Sequence, residues 1–227
     1  VFHDDQHGTA IVVLAALRNA LKLVKKDMSK VKIIMSGAGA AGTAIARLLV
    51  LSGATNIIAF DIDGVISKNS SSDGAMRDWF IEHSNKDDFK GSIHEALSGA
   101  DIFIGVSAPN VLKEADIASM AAGSIVFALA NPDPEIDPVI ARKYAAVVAT
   151  GRSDHPNQIN NVLAFPGIFR GLLDANAHKI TDKLLVAAAE AIADCVSPSQ
   201  LNTSFIVPSV FDPNVVTQVA AAVKKSV

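Results

Sequence analysis

Residues 31–61 read VKIIMSGAGAAGTAIARLLVLSGATNIIAFD, and this stretch decides the fold class. It begins with an apolar run, 31–35, whose length and β-branched residues are typical of a buried strand. Three glycines follow, Gly37, Gly39 and Gly42, with the spacing G-x-G-x-x-G. In dinucleotide sites the first glycine of this spacing makes a tight turn, the second lets a diphosphate approach, and the third lets helix and strand pack closely. The stretch therefore predicts a dinucleotide-binding turn.

The residues after the glycines complete the same unit. A run of helical period, with Ala44, Ile45, Leu48 and Leu49, stops at Ser52-Gly53. A second apolar strand, 56–60, leads directly into Asp61. A diphosphate would bind the free N–H groups at the helix start, where the helix dipole favours negative charge. Asp61 lies near the expected spacing of about 20 residues for the acid that binds the ribose hydroxyls. Taken alone, the glycine spacing also suits a turn in some other α/β protein.

Strand and helix patterns alternate through the rest of the chain. Further strands are predicted at 100–106, 124–129 and 145–150. Helices are predicted at 9–25, 75–83, 92–98, 112–120, 139–144, 180–196 and 215–223. Ser92 and Glu95 have the spacing of a capping box at one of these helix starts. At least five strands in this alternation predict an α/β fold, a doubly wound parallel sheet of the Rossmann type with flanking N- and C-terminal helices.

The composition suits one large domain of this class. Of 227 residues, 50% are hydrophobic and 19% are charged, as expected for a sheet covered on both faces. The net charge of −3 gives no electrostatic reason to expect a nucleic acid or a membrane as partner. Cys195 is the only cysteine, which favours a reducing, cytoplasmic compartment. No signal peptide is visible, and polar residues interrupt the apolar segment 11–23, which we predict to be a packed helix.

The first eight residues, VFHDDQHG, carry two acids and two histidines. Two interpretations are equally compatible with this density: a metal or catalytic corner, or a polar arm that caps the first helix. Because the chain begins with valine and enters directly into this cluster, we expect it to be a piece of a longer protein.

Polar residues follow three of the predicted strands. Ser107, Asn131, and then Ser153 and Asp154 come directly after them, and the segment 157–161 reads NQINN. Ligands of doubly wound sheets bind outside the carboxyl ends of the strands. Each of these residues alone also suits an ordinary turn. A turn explains Asn160 and Asn161, at the end of this segment, less well than it explains the others. Their amides can both donate to and accept from a hydroxylated carboxylate substrate.

Five motifs, in this order, resemble the cofactor-binding domain of malic enzymes, of the compact type found in bacteria and some protists. They are FHDDQHGTA, GAGAAG, FALANPDPE, ATGRSDHPNQINNVLAFPGIFRG and IVPSVFDP, and the resemblance spans about residues 1–223. It implies oxidative decarboxylation of L-malate to pyruvate and CO2, with NAD or NADP and with Mg2+ or Mn2+. It also implies a homo-oligomer, a dimer or a dimer of dimers.

The resemblance also implies roles for single residues. Asp5 matches the carboxylate that binds the metal, and Asp4 matches its supporting acidic neighbour. Asn131 and Asn161 match two asparagines that contact the substrate. The implied cofactor site consists of Gly37, Gly39, Ala40, Ala41, Gly42, Asp61, Asp63, Ser107 and Asn131. His3 and His7 are not metal ligands in that pattern.

The family's other metal-binding acids, its catalytic lysine and its catalytic tyrosine lie in a preceding domain. Tyr144 is the only tyrosine here, and it falls in a predicted helix. We therefore expect residues 1–227 to be the cofactor domain, to lack the acid–base residues, and to be inactive alone.

Two further functions stay open at this point. One is another NAD-dependent dehydrogenase of similar architecture, such as an amino-acid or methylene-tetrahydrofolate dehydrogenase. The other is a non-catalytic NAD-binding module. For the cofactor we expect NAD, because Asp61 and Asp63 would repel a 2′-phosphate. Lys68 or Arg77 would favour NADP if either folded back onto that phosphate.

Overall fold

The computed structural model describes residues 2–227 and contains one six-stranded sheet. Its strands are β1 (Lys32–Ser36), β2 (Asn56–Asp61), β3 (Gly64–Val65), β4 (Ile102–Gly105), β5 (Ile125–Ala128) and β6 (Val147–Thr150). They lie in the order β3-β2-β1-β4-β5-β6, and all neighbours are parallel except β2 and β3, which are antiparallel. The predicted parallel sheet is confirmed, with one correction. The short antiparallel edge strand was not predicted, because two residues are too few to show an alternation.

Nine α-helices occur within residues 2–227. They are α1 (Thr9–Val24), α2 (Ala40–Leu51), α3 (Ala75–His83), α4 (Ile93–Leu97), α5 (Glu114–Ala118), α6 (Pro138–Ala141), α7 (Phe165–Asp174), α8 (Asp182–Asp194) and α9 (Pro213–Ser226). The capping box is confirmed, since Ser92 N donates to Glu95 Oε2 (2.7 Å) and Glu95 N to Ser92 Oγ (3.3 Å). Helices α5 and α6 are shorter than predicted, and α7 was not predicted.

Side chains of each strand point alternately to two cores, as the pleat of a sheet requires. Ile33 and Met35 of β1 belong to the core formed with α1, α2 and α8. Ile34, between them, belongs to the core beneath α4, α5 and α6. The sheet is therefore covered on both faces, which explains why its strands read as continuous apolar runs.

Helix α1 crosses the middle of one face and is buried over most of its length. Asn19, 1% exposed, donates both amide hydrogens to the carbonyl oxygens of Ala193 and Ile206 at 2.9 Å each. Asp4–Val24 is long and apolar enough to cross a membrane, yet 67% of its apolar window is buried within the domain. The packed helix predicted for residues 11–23 is therefore confirmed.

Helices α7 and α9 pack at unusually close range because α7 presents glycines to α9. A Cβ on Gly167 would lie 2.6 Å from Val219 Cβ, and one on Gly171 would lie 2.6 Å from the Ala220 carbonyl oxygen. No side chain fits at either position without moving α9. These glycines, and Pro166 before them, also explain why the helical period of α7 is weak in the sequence.

Candidate functional site

The glycine turn between β1 and α2 is closely packed on one side and open on the other. Gly37 has a φ of 106°, and a Cβ there would lie 2.6 Å from the Val106 carbonyl oxygen. A Cβ on Gly42 would overlap the carbonyl oxygen of Gly37. At Gly39, by contrast, a Cβ would meet no described atom within 4 Å. The open side adjoins the start of α2, whose first N–H groups have no partner inside the helix, so the turn fits a diphosphate.

The acid at the end of β2 is paired with an arginine. Arg77 Nη1 donates to Asp61 Oδ2 at 2.6 Å and to Asp63 Oδ2 at 3.0 Å. The side chains of Arg77 and Asp61 are only 14% and 15% exposed, whereas that of Asp63 is 67% exposed. The sequence offered Arg77 as an alternative ligand for a cofactor 2′-phosphate, but in the structure Arg77 neutralises the two carboxylates. Lys68 is exposed in the following loop.

A cleft of about 440 Å³ lies at the carboxyl ends of the strands. It contains six residues that the sequence singled out, namely Asp5, Ala41, Ser107, Asn131, Asn160 and Asn161. Its other lining residues are Thr9, Val106, Leu129, Ala130, Gly151 and Ile159. Residues separated by more than 150 positions in the chain therefore face one space beside the glycine turn, as the sequence reasoning expected.

Asn161 is oriented by the N-terminal segment. Its Oδ1 accepts from Thr9 Oγ1 at 2.9 Å, and its Nδ2 donates to Asp4 Oδ2 at 3.4 Å. Asp4 Oδ1 is buried and has no hydrogen-bond partner among residues 2–227. Asp4 thus lies behind Asn161 and does not line the cleft, whereas its neighbour Asp5 is exposed and does. Asp4 and Asp5 both belong to a π-helical turn, Asp4–Gly8, which directs the two carboxylates differently and continues directly into α1.

Sequence reasoning missed Glu135, which is completely buried beneath the cleft. Its Oε1 accepts from Ser107 N at 2.9 Å, and its Oε2 accepts from Ala130 N at 3.0 Å. Burial raises the pKa of this carboxyl, and the backbone hydrogen bonds from Ser107 and Ala130 act in the opposite direction. Nothing in the motif FALANPDPE distinguishes this buried acid from an exposed one in a turn.

Several predicted candidates lie outside the cleft. Asp154 forms a bidentate pair with Arg152 at 2.7 and 2.9 Å, which lowers the pKa of Asp154 to about 2. The amide of Asn157 donates to the Val148 and Thr203 carbonyls, so it is structural. Ser153 lies on an exposed turn that does not line the cleft.

The histidines and the cysteine also lie away from the cleft lining. His7 Nδ1 accepts from His3 N at 3.0 Å, and both residues are absent from that lining. His178 is exposed between α7 and α8, and Cys195 is half-buried at the end of α8.

Acid–base and metal-binding groups are scarce in the described part of the chain. Asp5 is the only ionisable side chain among those that line the cleft. Tyr144 is on the surface, where its hydroxyl donates to Glu114 Oε1 at 2.9 Å and this hydrogen bond raises its pKa. Within residues 2–227 no group of three or more histidine, cysteine or acidic side chains is arranged to hold a metal ion. Asp5 therefore fits a divalent cation only as one ligand among others.

Comparisons with known proteins agree with this geometry. The family model described as malic enzyme, NAD binding domain, matches residues 6–227. A curated relative, the NAD-dependent malic enzyme of Geobacillus stearothermophilus, is 51% identical over 98% of this chain and 47% of its own length. The NADP-dependent malic enzyme of Salmonella typhimurium is 41% identical over 100% of this chain and 32% of its own length.

Among solved structures, an NAD-dependent malic enzyme from Thermotoga maritima superposes with a TM-score of 0.94 and 45% identity. That similarity covers 100% of this chain and 60% of the Thermotoga chain. The present chain thus spans about half the length, or less, of the curated relatives it matches.

Proposed function

This chain belongs to the malic enzyme family as its NAD-binding domain, and we propose that it serves the oxidative decarboxylation of L-malate to pyruvate and CO2. The observation that carries the proposal is the cleft in which Asp5, Asn131 and Asn161 meet beside the glycine turn. A metal carboxylate and two substrate amides at that point fit malate oxidation. They fit an amino-acid dehydrogenase or a mere NAD sensor less well, because neither needs an exposed carboxylate there.

When bound, NAD(P) would accept the hydride from C2 of malate, and Mg2+ or Mn2+ would polarise the C2 oxygen. The chain's own residues hold and orient the substrate. Asn131 is exposed to the cleft and can donate to a malate carboxylate. The Asn161 amide is held by Thr9 and Asp4, so its remaining hydrogen is fixed in direction. Asp5 offers one hard oxygen ligand to the cation.

We propose that the groups for proton transfer come from another part of a longer polypeptide. Among the lining residues within 2–227 there is no lysine, tyrosine or histidine. Such a part would cover the exposed apolar stripe on α7, where Phe165, Phe169 and Leu173 are 42%, 38% and 78% exposed. This stripe begins four residues after Asn161, so a polypeptide packed on it would also border the cleft.

A further proposal concerns the choice between NAD and NADP as cofactor. The relatives include enzymes named for each cofactor, NAD in Geobacillus and NADP in Salmonella. We propose NAD for this chain, because Asp61 ends β2 where a ribose hydroxyl would bind. Arg77 is occupied by Asp61 and Asp63 and is not free for a 2′-phosphate. We also propose a cytoplasmic homo-oligomer with L-malate as its small-molecule substrate, and with neither nucleic acid nor membrane as a partner.

The function is tested by malate-dependent NADH production with Mn2+ in the longer protein. Asn161→Ala and Asn131→Ala should each raise the KM for malate by about tenfold or more, the effect of one lost hydrogen bond to a charged group. Asn69→Ala is the matched control, because Asn69 is exposed and does not line the cleft. No malate-dependent NADH production by the unmodified longer protein, or an unchanged KM in both cleft variants, would refute the proposal.

A further inference from the structure

Glu135 joins two loops that follow the neighbouring strands β4 and β5 and line the cleft. Ser107 follows β4, and Ala130 follows β5 and immediately precedes Asn131. One carboxylate accepts a backbone N–H from each loop, at 2.9 Å from Ser107 and 3.0 Å from Ala130. Ser107 Oγ adds a third donor to the same carboxylate at 3.3 Å. Glu135 thus adds three hydrogen bonds to the one from Leu129 N to Gly105 O (2.9 Å) that already joins the ends of β5 and β4.

The fold makes room for this carboxylate at some cost. Glu135 is 0% exposed, and a Cβ on Gly105 of β4 would overlap its carboxyl carbon. Burial of a carboxylate is unfavourable unless several donors surround it. An apolar side chain of the same volume would avoid the unfavourable burial of a charge. It would, however, leave the N–H groups of Ser107 and Ala130 without acceptors. The arrangement is suited to holding these two N–H groups, and hence the two loops, at a set spacing.

The loops after β4 and β5 line the cleft on the side of β1 that is opposite to Asp61. Ser107, Ala130 and Asn131 line it together with Ala41 of the glycine turn. Asp61, at the end of β2, is on the other side of β1 in the sheet order. A dinucleotide whose adenosine binds near Asp61 and whose diphosphate binds the glycine turn would extend its nicotinamide half toward these loops.

We propose that Glu135 is a positioning residue for the nicotinamide half of the cofactor, acting through Ser107 and the Ala130–Asn131 segment. This inference rests on the proposed function, because it deepens the cofactor site. None of the side-chain hydrogen bonds of Glu135 goes to Asp61 or to the glycine turn, where the adenosine and the diphosphate would bind. Removal of the Glu135 carboxylate should therefore weaken the binding of ligands that carry nicotinamide. The binding of ligands that end at the second ribose should not change.

The test measures two dissociation constants on the 227-residue chain, one for NADH and one for ADP-ribose, which lacks the nicotinamide. Glu135→Gln is the main variant, because a carboxamide has one acceptor oxygen and must turn its NH2 group toward one of the two donors. We expect NADH to bind about tenfold more weakly to this variant, because the loop that loses its acceptor shifts and about one hydrogen bond between that loop and the nicotinamide half is lost. ADP-ribose should bind within about twofold of the wild type.

Asp101→Asn is the matched control. Asp101 also accepts a backbone N–H, from Lys32 at 2.8 Å. It directly precedes β4, however, and so lies at the amino-terminal end of the strands, away from the cleft at their carboxyl ends. This variant should lower the melting temperature without changing the ratio of the two dissociation constants. If Glu135→Gln does not fold, Glu135→Asp is measured instead, since it keeps both oxygens but withdraws them by one methylene, and the same selective loss of NADH is expected.

The outcomes separate this inference from the proposed function. Equal weakening of NADH and ADP-ribose, or no weakening of either, in a folded Glu135 variant would overturn the positioning role. Failure of both Glu135 variants to fold while Asp101→Asn folds would also overturn it, by making Glu135 a structural residue. Failure of the wild-type chain to bind either ligand would instead refute its assignment as the cofactor site.

Discussion

Arg77 Nη1 lies 2.6 Å from Asp61 Oδ2, so the carboxylate at the end of β2 is already paired with a cation. The pair is largely shielded from solvent, with 14% and 15% of the two side chains exposed. An ion pair so placed is screened less by salt than one on the open surface. Asp61 thereby holds Arg77 away from a cofactor phosphate.

Cofactor preference should reverse, at least in part, when Asp61 is neutralised. Asp61→Asn removes the charge and one of the two acceptor oxygens available to the ribose hydroxyls, and it weakens the hold on Arg77, which can then reach a 2′-phosphate. We expect the ratio of the NADPH to the NADH dissociation constant to fall by about tenfold. Asp63→Asn is the control, because its 67% exposed carboxylate contributes little to an ion pair. Tighter binding of NADPH than NADH by the wild type would contradict this account.

Asp5 and Asp4 should have separable effects in the longer protein. Asp5 is exposed and lines the cleft, so Asp5→Asn should leave the melting temperature unchanged. It should raise the Mn2+ concentration for half-maximal activity by at least about tenfold, since even groups behind the ligands have effects of that size. Asp4→Asn should act mainly on the KM for malate, because Asp4 contacts Asn161. The same Mn2+ dependence in Asp5→Asn and the wild type would remove Asp5 from the metal site.

Gly171→Ala should destabilise the domain through the contact of α7 with α9. The added methyl group would lie 2.6 Å from the Ala220 carbonyl oxygen and 2.7 Å from Val223 Cβ. Overpacking of this kind costs about 1–3 kcal/mol. Thermal unfolding followed by circular dichroism measures the change. Gly151→Ala is the matched control, since a Cβ there meets only the Leu129 carbonyl oxygen at 3.8 Å; equal melting temperatures of the two variants would disprove the close packing.

Cys195 should react slowly with thiol reagents. Burial, together with the nearby Asp212 and Asp194 carboxylates, raises the pKa of its thiol to about 11. Only the thiolate reacts, so at pH 8 the reactive fraction is on the order of a hundredfold below that of an ordinary cysteine. Alkylation by iodoacetamide, followed by mass spectrometry, should be correspondingly slow in the native chain and fast in urea. Equal rates in both conditions would contradict the raised pKa.

Local signals predicted most of the fold. The β1–α2–β2 unit and the Ser92–Glu95 capping box were predicted because each is encoded in contiguous residues. Helix α7 was missed because its packing depends on Gly167 and Gly171, which carry no hydrophobic signal. Their purpose is visible only once α9 is placed against them.

Of the polar residues that the sequence grouped after the strands, Ser107, Asn131, Asn160 and Asn161 line the cleft, whereas Ser153, Asp154 and Asn157 do not. Strand ends meet at one edge of a parallel sheet, so polar residues after the strands could be grouped from the sequence. The burial of Glu135 and the pairing of Arg77 with Asp61 depend on side-chain directions that no local pattern encodes. Both contacts join residues that are more than a dozen positions apart, Glu135 with Ser107 and Arg77 with Asp61.

The central claim is that this chain holds the cofactor and part of the substrate site but not the groups that move protons. The measurement that tests it most directly is NADH production from malate and Mn2+ by residues 1–227 alone, beside NADH binding by the same sample. We predict NADH binding with no measurable turnover, because general acid–base catalysis contributes about 10²–10⁴-fold and no second ionisable group lines the described cleft. Robust turnover by the chain alone, abolished in Asp5→Asn, would contradict the claim.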